Sequence, residues 1–314
     1  MKMAKYLVTG GCGFIGSHLC DSLVSAGHEV RVLDNLSTGC EQNLDVPVEL
    51  ILGDVAEYED VKAAMKGMSG CFHLAAIASV ERSIEDWPGT HRVNLSGTVN
   101  VFDCAKERKI PVVYASSAAV YGDNASMPLN EDDKTRPLSA YGADKLGCEY
   151  HAKVAGVVHG VPSVGLRFFN VFGPKQDPKS PYSGVISIFI DRLMAQKPLK
   201  IFGDGQQVRD FIYVGDVVRF LRSAMQNTSC DAEIYNVCTG QTTAITQLAK
   251  ALSIISGMPL SIDKQPPRGG DIQTSLGDVQ KALKNLNIQA MTTLSDGLRH
   301  TVDFHQKQHL RAAQ

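Results

Sequence analysis

An excess of charge of either sign is missing from this sequence. Its 31 Lys and Arg stand against 33 Asp and Glu, a formal charge of −2, and no block of like charge stands out. Grip on a phosphate backbone needs clustered cations, so nucleic acid is not an expected partner. Long apolar runs are missing too: no stretch reaches the ~18 uninterrupted apolar residues that cross a bilayer, so no membrane is expected either. The start, MKMAKYLVTGG, has only a brief apolar run before its glycines and lacks the ~7–15-residue apolar core of a secretory signal. These absences read as a cytoplasmic chain. Eight cysteines (Cys12, Cys20, Cys40, Cys71, Cys104, Cys148, Cys230 and Cys238) are scattered, with neither C-x-x-C nor paired histidines at zinc spacing. They read as reduced, mostly buried small hydrophobes, and no metal is expected.

What is present is ordinary for a globular protein: 314 residues, 44% apolar and 20% charged. That length suits one large α/β domain or two smaller ones. Short β-branched runs at 6–10, 29–34, 48–54, 71–76, 110–117 and 161–170 alternate with amphipathic stretches at Ser17 to Ala26, Tyr58 to Lys66, Asn94 to Lys109 and Ala140 to His159. Such alternation predicts right-handed βαβ units and a doubly wound, Rossmann-type α/β fold whose parallel sheet is covered on both faces. After Asn170 the rhythm changes to turn-rich GPKQDPKSPYSG, a helix near 185–196, a short strand and turn at LKIFGDG, and a Pro/Gly stretch at 266–270. The expected division is a domain at 1–169, with returns to the sheet near 211–240, and a smaller region at 170–314 packed against it around a shared cleft.

TGGCGFIG at 9–16 contains G-x-G-x-x-G (Gly11, Gly13, Gly16) and G-x-x-G-x-x-G (Gly10, Gly13, Gly16). An apolar strand precedes it, a helix follows, and Asp34 closes the next strand 18 residues after Gly16. Glycines there let backbone N–H groups and a helix N-terminus approach a pyrophosphate. The Asp34 carboxylate accepts from ribose hydroxyls and repels a 2′-phosphate, and neither Cys12 nor Asn35 brings a compensating cation, so NAD is expected rather than NADP. Asp54, ending the third strand, reads either as a second cofactor contact or as a strand-end turn residue.

Ser116 and Ser117 end a predicted strand, while Tyr141 and Lys145 stand four apart at the start of a helix and share one face. A phenol ordinarily ionises near ~10, so a tyrosine base at neutral pH needs positive charge beside it. A lysine one turn away and a nicotinamide cation supply that charge, and a serine hydroxyl then holds the substrate oxygen.

TGGCGFIGSH, DNLSTG, HLAA, ASSAAVYG, YGADK, RFFNVFGP and VRDFIYVGD resemble, in order and over almost the whole chain, the extended short-chain dehydrogenase/reductases that act on nucleotide sugars. Among their branches the chain is most similar to UDP-hexose 4-epimerases. Relatives that dehydrate follow the strand-end hydroxyl with Asp-Glu, and decarboxylating relatives carry a Glu there. Here Ala118 and Ala119 follow Ser117, leaving oxidation and reduction at carbon 4. The resemblance implies Ser117, Tyr141 and Lys145 as catalytic residues. It implies an NAD site, bound tightly and regenerated each turnover, formed by Gly10, Gly13, Phe14, Ile15, Gly16, Asp34, Asn35, Ser37, Gly39, Asp54, Val55, Leu74, Ala75, Ala76 and Asn94 with Tyr141 and Lys145.

By the same resemblance Asn170, Arg209 and Arg268 meet the UDP diphosphate, where an arginine fork matches phosphate oxygens. Phe202 lies near the uracil, and Asp271 orients Arg268 or meets the ribose. Ser275, four residues after Asp271, falls at a gate where similar epimerases carry a large Tyr when restricted to unsubstituted hexoses. A Ser there leaves room for an N-acetyl group; the other reading is a cap for a helix beginning near Leu276. Arg82 and Ser83 keep a uronic acid substrate open, because an Arg beside a hydroxyl suits a carboxylate. A net oxidoreductase or decarboxylase on this scaffold and a non-catalytic NAD(H) sensor are the remaining alternatives. A homodimer through the helices near 94–109 and 140–159 is expected, as in similar proteins.

Overall fold

The structure, a computed structural model, describes residues 3–124, 126–178, 180, 184–267 and 272–312. Its centre is a seven-stranded sheet built from β1 (Lys5–Thr9), β2 (Glu29–Asp34), β3 (Glu49–Leu52), β4 (Gly70–His73), β5 (Val112–Ser117), β6 (Ser163–Phe168) and a seventh strand at Glu233–Val237. Every neighbouring pair is parallel. The spatial order places the seventh strand beside β6, followed by β5, β4, β1, β2 and β3. The chain therefore winds outward from β1 in one direction and restarts beside it at β4. Loops after β1 and β4 diverge at that switch point and open a crevice at the carboxyl ends.

Both faces are covered, as the near-continuous apolar strands require. On one face, helix α1 (Phe14–Ser25) and a helix at Val214–Gln226 pack over a core that includes Val8, Val32, Phe72, Val113 and Leu166. On the other, α2 (Tyr58–Met65), a helix at Gly97–Lys106 and one at Ala140–His159 cover Leu7, Leu33, Val112 and Tyr114. The helices between α2 and the second of these are α3 (Val80–Glu85) and α4 (Trp87–His91), so Gly97–Lys106 is α5 and Ala140–His159 is α6. Burial on α6 recurs at Lys145, Cys148, Glu149, Ala152, Ala155 and Gly156, the one-face spacing of a 3.6-residue turn. Ser139 caps its start by accepting from the Gly142 N–H, and Gly160 ends it in the left-handed region.

Two details differ from the expectation. The helix after the glycines begins at Phe14 rather than Ser17, and the stretch expected as one helix from Asn94 opens with a wider π turn at Arg92–Ser96 before α5. Hydrophobic spacing is blind to that register change, because one extra residue in a turn shifts the face without altering composition. Beyond residue 170, apart from the strand at Glu233–Val237 and the helix at Val214–Gln226 that return to the sheet, the described residues include three two-stranded ladders and a further core around Phe172, Phe189, Leu199, Leu248 and Leu298. In chain order the first strands here are β7 (Asn170–Phe172), β8 (Leu199–Phe202), β9 (Val208–Arg209) and β10 (Phe211–Tyr213).

Candidate active site

A cleft of about 890 Å³ runs along the carboxyl ends of the sheet strands and continues under β7 and β9. Its first wall is the turn after β1. Gly10 sits at φ +70°, and a Cβ on it would lie 2.8 Å from the Ala75 backbone nitrogen, so the crevice between β1 and β4 closes only on a glycine. A Cβ on Gly16 would overlap the Gly10 carbonyl oxygen. The N-terminus of α1 carries no side-chain cap and no acid in its first turn, leaving its N–H groups for an anion in the cleft.

At the end of β2, the buried Asp34 carboxylate accepts from the Cys12 N–H at 2.9 Å and the Leu36 N–H at 2.9 Å. These bonds aim the carboxylate along the cleft, where a ribose diol is its natural partner. Asn35 Nδ2 donates to Asp54 Oδ2 at 3.1 Å, which joins the ends of β2 and β3. A glycine cradle that side chains would fill, an uncapped helix start and a fixed carboxylate together fit NAD.

Motif reading missed what holds the crevice open. His73, buried in β4, bonds Thr9 Oγ1 through Nδ1 at 2.8 Å and Thr98 Oγ1 through Nε2 at 3.0 Å. The Thr98 hydroxyl donates to the Asn94 carbonyl, so it accepts from Nε2–H, and Thr9 donates to Nδ1. Thr9 Oγ1 in turn accepts from the Leu74 and Ala75 N–H groups, both cleft walls. Burial pushes the His73 pKa down to about 3, with the charge of Lys145 acting in the same direction. The only signal available was a lone histidine in an apolar strand.

The residues expected to be catalytic meet at the end of β5. Ser117 lines the cleft, its Oγ accepting from the Ala119 N–H at 3.1 Å. Ser116 Oγ instead donates 2.5 Å to Glu149, which is locked bidentately by Arg167 at 2.9 and 2.7 Å. Both serines border the cleft, but the Ser116 hydroxyl is taken up by the buried ion pair while that of Ser117, among the described residues, accepts only from the Ala119 N–H. Lys145, 3% exposed, donates to the Ala115 carbonyl at 2.9 Å and holds its ammonium 6.0 Å from the Tyr141 ring centre. Ala118 and Ala119 line the cleft beside Ser117, so no carboxyl group stands there.

On the other side, Asn170, Arg209 and Ser275 line the same cleft. Asn170 N–H donates to the Asp210 carbonyl at 3.1 Å, and Ser275 N–H to the Val208 carbonyl at 3.1 Å, so main-chain bonds bring both to the strand of Arg209. Asp210, fully buried, accepts from the Thr239 and Gly240 N–H groups and knits the region together. The next helix starts at Gln280, so Ser275 does not cap one at Leu276.

Of the expected cofactor residues, Gly10, Gly13, Phe14, Ile15, Gly16, Asp34, Asn35, Ser37, Gly39, Asp54, Val55 and Leu74 to Ala76 line the cleft, as do Tyr141 and Lys145. Asn94 does not: its amide is spent on the Ile77 N–H at 2.8 Å and carbonyl at 3.1 Å, and it shapes the wall from behind. Phe202 is also outside the lining, at the end of β8 where that strand pairs with Ile262–Gln265. Nor is Arg82 brought into the cleft. It faces Glu85 at 3.6 Å and Asp86 at 4.0 Å on its own helical segment, while Ser83 Oγ turns back to the Val80 carbonyl. Arg268 and Asp271 lie outside the described residues.

Fold and cleft together define a nucleotide-cofactor enzyme of Rossmann type, with Ser117, Tyr141 and Lys145 lining one cleft. The NAD dependent epimerase/dehydratase family matches residues 6–238, and the chain belongs to that family. It is 35% identical to the UDP-glucose 4-epimerase of Mycolicibacterium smegmatis over 309 residues, 96% of this chain and 98% of the relative. The structure of UDP-N-acetylglucosamine 4-epimerase from Methanobrevibacter ruminantium in complex with UDP-N-acetylmuramic acid superposes with a TM-score of 0.93 at 35% identity, covering 98% of this chain and 100% of that one. The UDP-glucose 4-epimerase of Thermus thermophilus complexed with NAD gives a TM-score of 0.89 at 34% identity, covering 96% and 99%. Among the described residues no helix is long and apolar enough to cross a membrane.

Proposed function

We propose that the protein is an NAD-dependent 4-epimerase of UDP-hexoses, acting on UDP-GlcNAc and UDP-GalNAc, on UDP-Glc and UDP-Gal, or on both pairs. The observation that carries this reading is one cleft lined by Ser117, Tyr141 and Lys145, by the glycine turn with Asp34, and by Asn170, Arg209 and Ser275. Bound NAD supplies a reversible hydride acceptor for sugar carbon 4. Tyr141, as phenolate beside the Lys145 ammonium, takes the proton of the 4-hydroxyl and later returns it to the 4-keto sugar. Ser117 Oγ holds that oxygen by a hydrogen bond throughout. With alanines at 118 and 119, no acid assists loss of water or carbon dioxide, which favours simple inversion at carbon 4.

Inversion requires the keto sugar to turn over while its nucleotide stays bound, so binding energy must come from the diphosphate rather than the sugar hydroxyls. Asn170 and Arg209 are the proposed diphosphate contacts among the described residues; Arg268 is proposed to join them, with Asp271 orienting it or meeting the ribose. The small Ser275 side chain supports acceptance of an N-acetyl group. The placement of Arg82 and Ser83 speaks against a uronic acid substrate. In this reading residues 1–169 hold the cofactor and residues 170–314 mainly the UDP-sugar.

A homodimer belongs to the same proposal. Tyr150, Val154, Val157 and Val158 project from one face of α6 and are 52–75% exposed, an apolar stripe of the kind a second copy covers. Eight free thiols fit the reducing cytoplasm. Tyr141→Phe tests the catalytic claim: turnover should fall at least ~1,000-fold, within the range for losing a proton-transfer group. NAD content, read by absorbance after denaturation, should stay at the wild-type level. Unchanged turnover would remove Tyr141 from the mechanism.

A further inference from the structure

We propose that Lys175 is a positioning residue that couples binding of the UDP-sugar to retention of NAD; this rests on the function proposed above. Lys175 follows β7 at φ +67° and belongs to the substrate side of the cleft, yet its ammonium reaches across to the cofactor side. It lies 2.9 Å from Asp21 Oδ2 on α1 and 2.7 Å from Asp45 Oδ2, and donates to the Asn43 carbonyl at 2.7 Å. Those three bonds use all three of its protons. The side chain is only 8% exposed. Burial opposes the charge, but the bonds to Asp45 and Asp21 outweigh it and hold the pKa above the usual lysine value.

The contact continues inward. Asn43 Nδ2 donates to the Cys12 carbonyl at 2.9 Å, Cys40 N–H donates to the same oxygen at 3.0 Å, and Cys12 N–H donates to Asp34 Oδ2 at 2.9 Å. A continuous path therefore runs from Lys175 through Asn43 and Cys12 to the carboxylate proposed to hold the adenosine ribose. A second strut lies beside it, where His18 Nε2 of α1 meets the Pro174 carbonyl at 2.9 Å. Asn170, a proposed diphosphate contact, is five residues upstream on the same segment. Ordering this segment around a UDP diphosphate would seat Lys175, and seated Lys175 closes the 40–45 loop over the cofactor. Coupling of this kind is reciprocal by thermodynamic necessity.

The test is exchange of protein-bound NAD for radiolabelled NAD, with and without UDP, in wild type, Lys175→Ala, Lys175→Arg and Asp45→Asn. In wild type UDP should slow exchange at least ~5-fold, the lower end of ordinary coupling between sites. Lys175→Ala should exchange at least ~10-fold faster and lose most of the UDP effect, whereas Lys175→Arg should recover part of both because it keeps the charge. Asp45, two-thirds exposed, tests the same link without risk to the core: Asp45→Asn should exchange ~2–3-fold faster, as for a partly solvated pair. The proposal is overturned if the lysine variant releases NAD at the wild-type rate, or if UDP slows exchange equally in wild type and variant. A role in folding alone would lower thermal stability and leave the UDP effect intact. Wild-type protein that epimerises but exchanges NAD without regard to UDP overturns this proposal alone. Wild type unable to hold NAD contradicts the proposed function as well.

Discussion

The two sides of the cleft, one proposed to hold the cofactor and the other the substrate, are made differently. Toward β1, β2 and β4 the walls are mostly main chain: Gly10 against Ala75, the uncapped start of α1, and Asp34 fixed by two backbone N–H groups. Toward β7 and β9 the groups proposed to meet a ligand are side chains, Asn170, Arg209 and Ser275, gathered from a span of about a hundred residues. Backbone recognition demands close approach and tolerates no added atoms, while side-chain recognition tolerates exchange and sets selectivity.

The contrast can be broken most forcefully on the cofactor side. Gly16→Ala places a Cβ onto the Gly10 carbonyl, where a backbone atom cannot yield. We expect NAD content to fall to a small fraction of wild type and unfolding stability to drop by about 3 kcal/mol, the upper part of the range for overpacking. Copurified NAD and a denaturant curve give both numbers, and a variant with full NAD content would show that the turn is looser than drawn here. Arg209→Ala probes the other side. The KM for the UDP-sugar should rise ~10–100-fold, as for loss of a charged hydrogen bond, with NAD content unchanged.

The smallest expected effect sharpens the comparison by asking how the cofactor walls are braced. His73 has a folded pKa of about 3 against 6.5 unfolded, so below pH 6.5 the unfolded chain binds more protons and stability falls with acid. At pH 5 the loss from this group amounts to about 2 kcal/mol relative to pH 7.5. His73→Asn should be less stable at neutral pH yet lose less on acidification. Parallel losses in both proteins would assign the acid sensitivity elsewhere.

The same asymmetry explains what could be seen in the sequence. The sheet, its winding and the glycine turn that lines the cleft follow from local patterns: strand, glycines, helix and Asp34 occur within 30 residues, and Tyr141 and Lys145 within one turn. The π turn before α5 left no trace, because one added residue per turn has no compositional signature. The bracing by Thr9, His73 and Thr98, and the reach of Lys175 to Asp21 and Asp45, join residues 25 to 154 positions apart, which periodicity does not relate. Arg82 reads in isolation as a free cation near the cleft, but a helix start placed Glu85 and Asp86 within its reach. Phe202 likewise takes its position from the pairing of β8 with a strand some sixty residues later.

The central claim is inversion at carbon 4 with NAD retained. Proton NMR of the purified protein, with no added NAD, incubated separately with UDP-GlcNAc, UDP-Glc and UDP-glucuronate, tests it directly. We expect the anomeric signal of the 4-epimer at constant total nucleotide sugar from UDP-GlcNAc or UDP-Glc, and none from UDP-glucuronate. Protein that contains NAD and leaves UDP-GlcNAc and UDP-Glc unchanged, or that consumes either only when NAD is added in stoichiometric amounts, would contradict it.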